Sequence, residues 1–298
     1  GKHSMCLSFS RLTQQVENWA RAKEASRTVS NINKIPVVNP DGTGIEKESV
    51  GLELRDVSFA YPFTHLPVFD RVNVSVGSGE ILCVYGGNGA GKTTLFDVIS
   101  GVSTTSSGTL TFEGRDITRL PASRIAVFGL QRTFQTPVTF SELSVRDNVL
   151  VGGYFGGNDR IARNSDLRTQ KIEDVLMLCG LQDVGSKMAG QLPVIGRKQL
   201  MIATALVSEP TLLMLDEPMG GLNAEERQFI LELLRDLNRS GMTLLIIEHV
   251  MSALLSIADR LLILDYGKVI FEGPAKEALD DAKVVQAYLG TEAKSLRS

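Results

Sequence analysis

One stretch limits the possible folds more than any other: ILCVYGGNGAGKTTLFDVIS, residues 81–100. Its first five residues are apolar and read as a buried strand. The run GGNGAGKTT then fits the pattern GxxxxGK[ST] through Gly86, Gly91, Lys92 and Thr93, and a helix start follows. A strand, a glycine-rich loop and a helix in that order make an anion cradle. The glycines let backbone N–H groups turn inward, and the helix start adds partial positive charge. The pattern assigns phosphate contact to Gly86, Gly87, Asn88, Gly89, Ala90, Gly91, Lys92, Thr93 and Thr94. Lys92 reaches the β- and γ-phosphates, and Thr93 offers a hydroxyl to Mg²⁺. A glycine-rich turn with a surface lysine is the plain alternative, and the flanking strand and helix argue against it.

The rest of the chain supplies the sheet such a cradle needs. LELRDVSFAY and VNVSVGSGEILCVYG read as strands, and SGTLTFEGRDIT as a hairpin punctuated by Gly108 and Gly114. Later come the strand TLLMLDEP, a helix over 224–239, the strand MTLLIIEH, a helix over 250–258, and the strands RLLILDYG and KVIFEG. Strands alternating with helices predict a mainly parallel α/β sheet. Residues 142–151 and 166–180 have helical period, and the block 136–210 lacks strong strands, so it reads as a helical insertion. Residues 1–48 read as an extension, helical or disordered, that ends in the linker NKIPVVNPDGTG. Its opening GKHSM is set aside as a cloning remnant. The main domain spans 49–290 and a tail covers 291–298.

Composition narrows the function. A formal charge of -3 leaves no basic excess for a general nucleic-acid binder. Cys6, Cys83 and Cys179 are far apart, which suggests neither a disulfide framework nor a zinc site. The most apolar stretch is cut by Glu248, His249, Asp259 and Arg260, so no uninterrupted run spans a bilayer.

Two more elements join the cradle. Asp216 and Glu217 close the apolar strand in LLMLDEP, at the sheet edge where open α/β folds bind ligands. Asp216 is placed to hold Mg²⁺, and Glu217 to polarise an attacking water as a general base. Seen alone, the pair reads better as solvated turn carboxylates; the phosphate loop upstream turns the balance to the site. His249 ends the next strand on the same edge, where strand ends face the γ-phosphate; a lone strand-end histidine is more often a capped or surface residue, and only its company makes it a site candidate.

Together these residues resemble the nucleotide-binding subunit of ATP-binding cassette (ABC) transporters over about residues 50–290. The likeness rests on the phosphate loop, RTFQ ending in Gln135, LDEP, GGLN at 220–223 and His249. It implies a P-loop NTPase core of RecA-like type, with an antiparallel β subdomain and an inserted α-helical subdomain. It implies ATP and Mg²⁺ as cofactors, with Thr93, Gln135 and Asp216 at the metal. Tyr61 in FAYPF then stacks on adenine, with Phe59 as competitor. Glu217, His249 and Gln135 become the catalytic set, and Asn223 stands where the family usually has Asp. The implied partners are transmembrane permease subunits, a second ABC ATPase and, indirectly, a solute-binding protein. The implied location is the cytoplasmic face of a bacterial inner membrane. Within the family, QRTFQTPVTFSELSVRDNVLVG, LLIIEHVM and FEGPAKEALDDAKVVQAYLG look like ATPases of branched-chain amino acid importers. A soluble or export-type member, such as one for lipopolysaccharide export or cluster assembly, is the alternative. A GTPase is disfavoured, because NKIP at 33–36 lacks the Asp of a guanine motif and precedes the phosphate loop.

One stretch departs from the family. Its signature LSGGQ aligns without a gap to Leu192, Pro193, Val194, Ile195 and Gly196. Pro193 has neither hydroxyl nor N–H, and Val194 and Ile195 bring Cβ branches where close backbone approach is wanted. Two readings follow: the divergent signature still closes on phosphate through backbone N–H groups and the helix field, or, the favoured one, it makes a weak half-site that depends on a partner with a better signature. Arg197 or Lys198 is expected to compensate in part.

Overall fold

The computed structural model describes residues 50–286 apart from 63, 65, 136–138, 158–160 and 162. The extension expected at 1–48 and the tail at 291–298 lie outside the described residues. Strands β1 (Val50–Phe59), β2 (Phe69–Gly77), β4 (Ser107–Phe112) and β5 (Arg115–Asp116) make an antiparallel sheet in the order β2-β1-β4-β5. Along β2, Val72, Val74 and Val76 are buried while Arg71, Asn73 and Ser75 face outward, the alternation of a sheet with one solvated face.

The second sheet holds β3 (Ile81–Tyr85), β6 (Leu130–Arg132), β7 (Leu212–Asp216), β8 (Thr243–Ile247), β9 (Arg260–Asp265) and β10 (Lys268–Pro274), in the order β10-β9-β3-β8-β7-β6. Its pairings are parallel except for the closing hairpin β9–β10. Strands β7 and β8 are buried at every residue, which is why they read as unbroken apolar runs. Successive side chains feed two different cores. Cys83, Leu213, Leu215, Leu244, Ile246, Leu261 and Ile263 join one; Leu82, Val84, Met214, Leu245, Ile247 and Leu262 join the other.

The second core also takes Leu95, Phe96 and Ile99 from helix α1 (Lys92–Ile99), which follows the phosphate loop. A short helix α2 (Ala122–Val127) precedes β6. Among the described residues between β6 and β7 there is no named strand; that segment forms α3 (Val145–Phe155), α4 (Ser165–Leu178) and α5 (Val194–Leu206). On α6 (Ala224–Arg239), Ile230, Leu233, Leu234 and Leu237 are buried at helical spacing. Its start is fixed by a capping box in which Asn223 Oδ1 accepts from the Glu226 amide and Glu226 accepts from the Asn223 amide. Asparagine can therefore do the capping work of an aspartate here. Helix α7 (Met251–Ile257) returns the chain to β9. Because β3, β7 and β8 are parallel neighbours, their carboxyl ends lie side by side. Gly86, Glu217 and His249 all leave the sheet at that edge.

Candidate nucleotide site

A groove of about 430 Å³ opens at this edge. It is lined by Tyr61, Val68, Asn88, Gly89, Ala90, Gly91, Lys92, Thr93, Thr94, Gln135, Glu217 and His249. Gly86 and Gly87 are not among the lining residues but hold the loop from behind, since the Lys92 ammonium donates to their carbonyl oxygens at 2.8 and 2.9 Å. Burial pushes the Lys92 pKa down. Gly86 has φ 153°, and a Cβ added to it would overlap the Leu264 carbonyl oxygen of β9. Only glycine fits there. Tyr61 is 48% exposed at the rim with its hydroxyl 3.3 Å from Thr94 Oγ1. Its competitor Phe59 is turned into the core at 5% exposure.

The carboxylates differ sharply. Asp216 is 1% exposed, and neither of its oxygens has a hydrogen-bond partner among the described residues. The Arg132 guanidinium approaches to 3.6 Å, an ion-pair contact too long for a hydrogen bond. Burial raises the Asp216 pKa, and Arg132 opposes the rise. Two orphaned carboxylate oxygens beneath a groove that carries the Thr93 hydroxyl suit a hard, oxygen-ligated cation. Among the described residues no group of three His, Cys, Asp or Glu side chains forms a metal cage, so phosphate and water would have to complete such a shell.

Glu217 has φ 48°, in the left-handed region. Its amide donates to the Ile247 carbonyl at 2.9 Å, extending the β7–β8 ladder. Its Oε1 lies 2.7 Å from His249 Nε2, so the structure pairs these two expected site residues.

Sequence reasoning gives no site role to Arg132 or Glu248 and expects Lys198 to point elsewhere. Arg132 enters it only as part of RTFQ. It joins α1 to β6 by donating to Asp97 Oδ1 at 2.6 Å and to Ser100 Oγ at 3.1 Å. Its guanidinium also lies over the rings of Phe96 and Phe134. Arg132→Met should lower the unfolding free energy by about 3–5 kcal/mol, because it leaves the buried Asp216 carboxylate without its cation; a urea titration checks this. Glu248 is 2% exposed and holds the Met219 amide at 2.7 Å and the His249 amide at 3.1 Å. Burial raises its pKa. The available signal was a carboxylate ending an apolar strand, the same one that marks Asp216. Lys198 is the third. It was expected to assist an anion at the start of α5, but its ammonium turns inward to the Glu217 carbonyl at 2.6 Å. The Arg197 Nε likewise bonds back to the Leu192 carbonyl at 2.9 Å. The helix itself begins at Val194 on a Pro193 N-cap that makes no side-chain hydrogen bond, and Val194 is 49% exposed.

Residues 69–220 match the family model described as ABC transporter. The chain belongs to the ABC transporter family. Relatives agree with that membership. The high-affinity branched-chain amino acid transport ATP-binding protein LivG of Salmonella typhimurium is 33% identical over 239 residues, 76% of this chain and 94% of the relative. The similarly named BraG of Pseudomonas aeruginosa is 33% identical over 219 residues, 74% of this chain and 91% of the relative. A crystal structure of a nucleotide-free ATP-binding cassette from an ABC transporter superposes with a TM-score of 0.73 at 30% identity, covering 81% of this chain and 99% of that one. A cassette in its ADP conformation also gives 0.73, at 29% identity over 81% of this chain and 99% of that one. The chain is thus an ABC ATPase that binds and hydrolyses ATP, with the P-loop cassette fold. No helix among its described residues is long and apolar enough to cross a membrane.

Proposed function

We propose that this ABC ATPase powers import of branched-chain amino acids or a related small amino acid or amide. The support is the names of its relatives, which match most of their length, together with the groove that gathers its phosphate loop, Gln135, Glu217 and His249. Residues 49–290 act as the ATPase unit and about 136–210 as its helical subdomain. Tyr61 stacks on adenine. The loop amides of residues 86–94 and the Lys92 ammonium hold the β- and γ-phosphates. Thr93, Gln135 and Asp216 hold Mg²⁺, which when bound neutralises charge on the phosphate oxygens. Glu217 accepts a proton from the attacking water. His249 keeps the carboxylate aimed through its 2.7 Å contact and meets the γ-phosphate.

The signature region supports a heterodimer. Pro193, Val194 and Ile195 present no hydroxyl at the start of α5, and Pro193 has no N–H to give a phosphate on a facing subunit. Losing one preorganised donor at a phosphate can cost about 10²–10³ in rate. The competent ATP then sits on this chain's loop, closed by a partner ATPase with a better signature. Both ATPases bind permease subunits at the cytoplasmic face of the inner membrane, and a solute-binding protein feeds the permease.

Two measurements test the reading. Purification from a membrane fraction should bring down an apolar permease and a second ATPase, and leucine uptake should follow ATP in the reconstituted complex. The chain alone should hydrolyse ATP slowly and without cooperativity; brisk cooperative turnover by the lone chain removes the heterodimer.

A further inference from the structure

We propose that Lys198 is a positioning residue that transmits the placement of helix α5 to this chain's own Glu217 and Gln135. A lysine only 4% exposed is unusual, because burial disfavours its charge. It is tolerated here because its ammonium meets backbone oxygen: the Glu217 carbonyl at 2.6 Å and, at a longer 3.5 Å, the Gln135 carbonyl. Both belong to residues that line the groove.

The first of these bonds falls where the backbone most needs support. Glu217 occupies the left-handed region at φ 48°, a conformation that a side chain-bearing residue keeps only when its surroundings hold it. Three bonds hold it. Its amide is tied to Ile247, and its carbonyl oxygen takes the Gly220 amide at 3.2 Å and the Lys198 ammonium. Of the three only the last is charge-assisted, and only the last comes from outside the sheet and its own turn. The bonded peptide is Glu217–Pro218, so its tilt sets where the Glu217 carboxylate points relative to His249. The buried carboxylate of Glu248, which anchors Met219 and His249, favours the charge on the same ammonium. The cation on α5 and the anion just after β8 thus both hold the turn that carries Glu217.

Lys198 also lies close to the exposed start of its helix. It follows Val194 by one turn, about 6 Å along the axis. A shift of that end carries the ammonium with it, because the helix moves as a rigid unit. In the dimer proposed above, on which this step rests, that end faces the nucleotide of the other subunit. Lys198 would then adjust the angle of this chain's own base according to whether the opposite site is closed.

The test uses the full chain in the complex in which the wild type turns over. Lys198→Met keeps the length of the side chain and removes charge and donors. Nucleotide affinity, read with a fluorescent ATP analogue, should stay within about twofold, KM should move little, and kcat should fall about 10- to 100-fold, as expected when a reacting group is misplaced. Lys198→Arg should recover most of that rate. A Met variant with wild-type kcat overturns the proposal, as does a loss shared equally by affinity and kcat, or an Arg variant no better than Met. If the Met variant does not fold, the wild type decides. In lysine-¹⁵N-labelled chain, the Lys198 ammonium resonance, assigned by its absence from Lys198→Arg, should shift when ATP and Mg²⁺ are added; a stationary resonance overturns the link. Brisk cooperative hydrolysis by the lone chain would remove the heterodimer while leaving these comparisons intact.

Discussion

Glu217→Gln should bind ATP as tightly as the wild type and hydrolyse it at least ~10²-fold more slowly, the scale of a lost general base. The amide has the shape of the carboxylate and can keep the 2.7 Å hydrogen bond to His249 with the ring in its complementary tautomer. The backbone bonds at residue 217 are untouched. What disappears is the ability to take a proton from water. Phosphate release and analogue binding measured on the same preparation separate the two effects. Unchanged turnover would remove Glu217 from the role of base.

Gly86→Ala should damage the cradle itself. The new methyl overlaps the Leu264 carbonyl oxygen, which belongs to the backbone of β9 and cannot rotate away. The strained backbone alone costs about 1–3 kcal/mol, and overpacking adds a similar ~1–3 kcal/mol. The Gly86 carbonyl also holds Lys92, so the loss should appear both as a lower unfolding midpoint and as weaker ATP binding. Gly89→Ala is the control. Its φ of 76° is also unfavourable for alanine, yet the added methyl meets nothing within 4 Å, so its effect should be the milder one. Equal stability and affinity in the two variants would refute the overlap argument.

Much of this molecule can be read from its sequence because the signals are local. Helix α6 was expected over 224–239 and occupies those residues, since Asn223 and Glu226 mark its start and its leucines keep helical period. Helix α7 is a residue shorter at each end than the period suggested, running 251–257. The glycine-rich loop, Asp216 at the end of β7 and His249 two residues beyond β8 stand out in adjacent letters. Lys198 and Arg132 do not. A cation on a helix or a short strand reads as solvent-facing until its partner is known, and the partners here are a carbonyl 19 positions away and a carboxylate 35 positions away. No period in the sequence links such pairs; only the fold brings them together.

The closing hairpin has a consequence for how the protein comes into being. The central strand β3 is flanked by β8 and β9, the Leu264 carbonyl crowds Gly86, and the Gly267 amide donates to the Ala90 carbonyl at 3.1 Å. The glycine-rich loop is therefore braced by residues 264 and 267, which are synthesised long after it. During synthesis the loop lacks this brace until the ribosome has delivered β9 and the turn that follows it. Such distant pairing is slow to form, so a nascent or truncated chain should gain its hold on ATP in one late step.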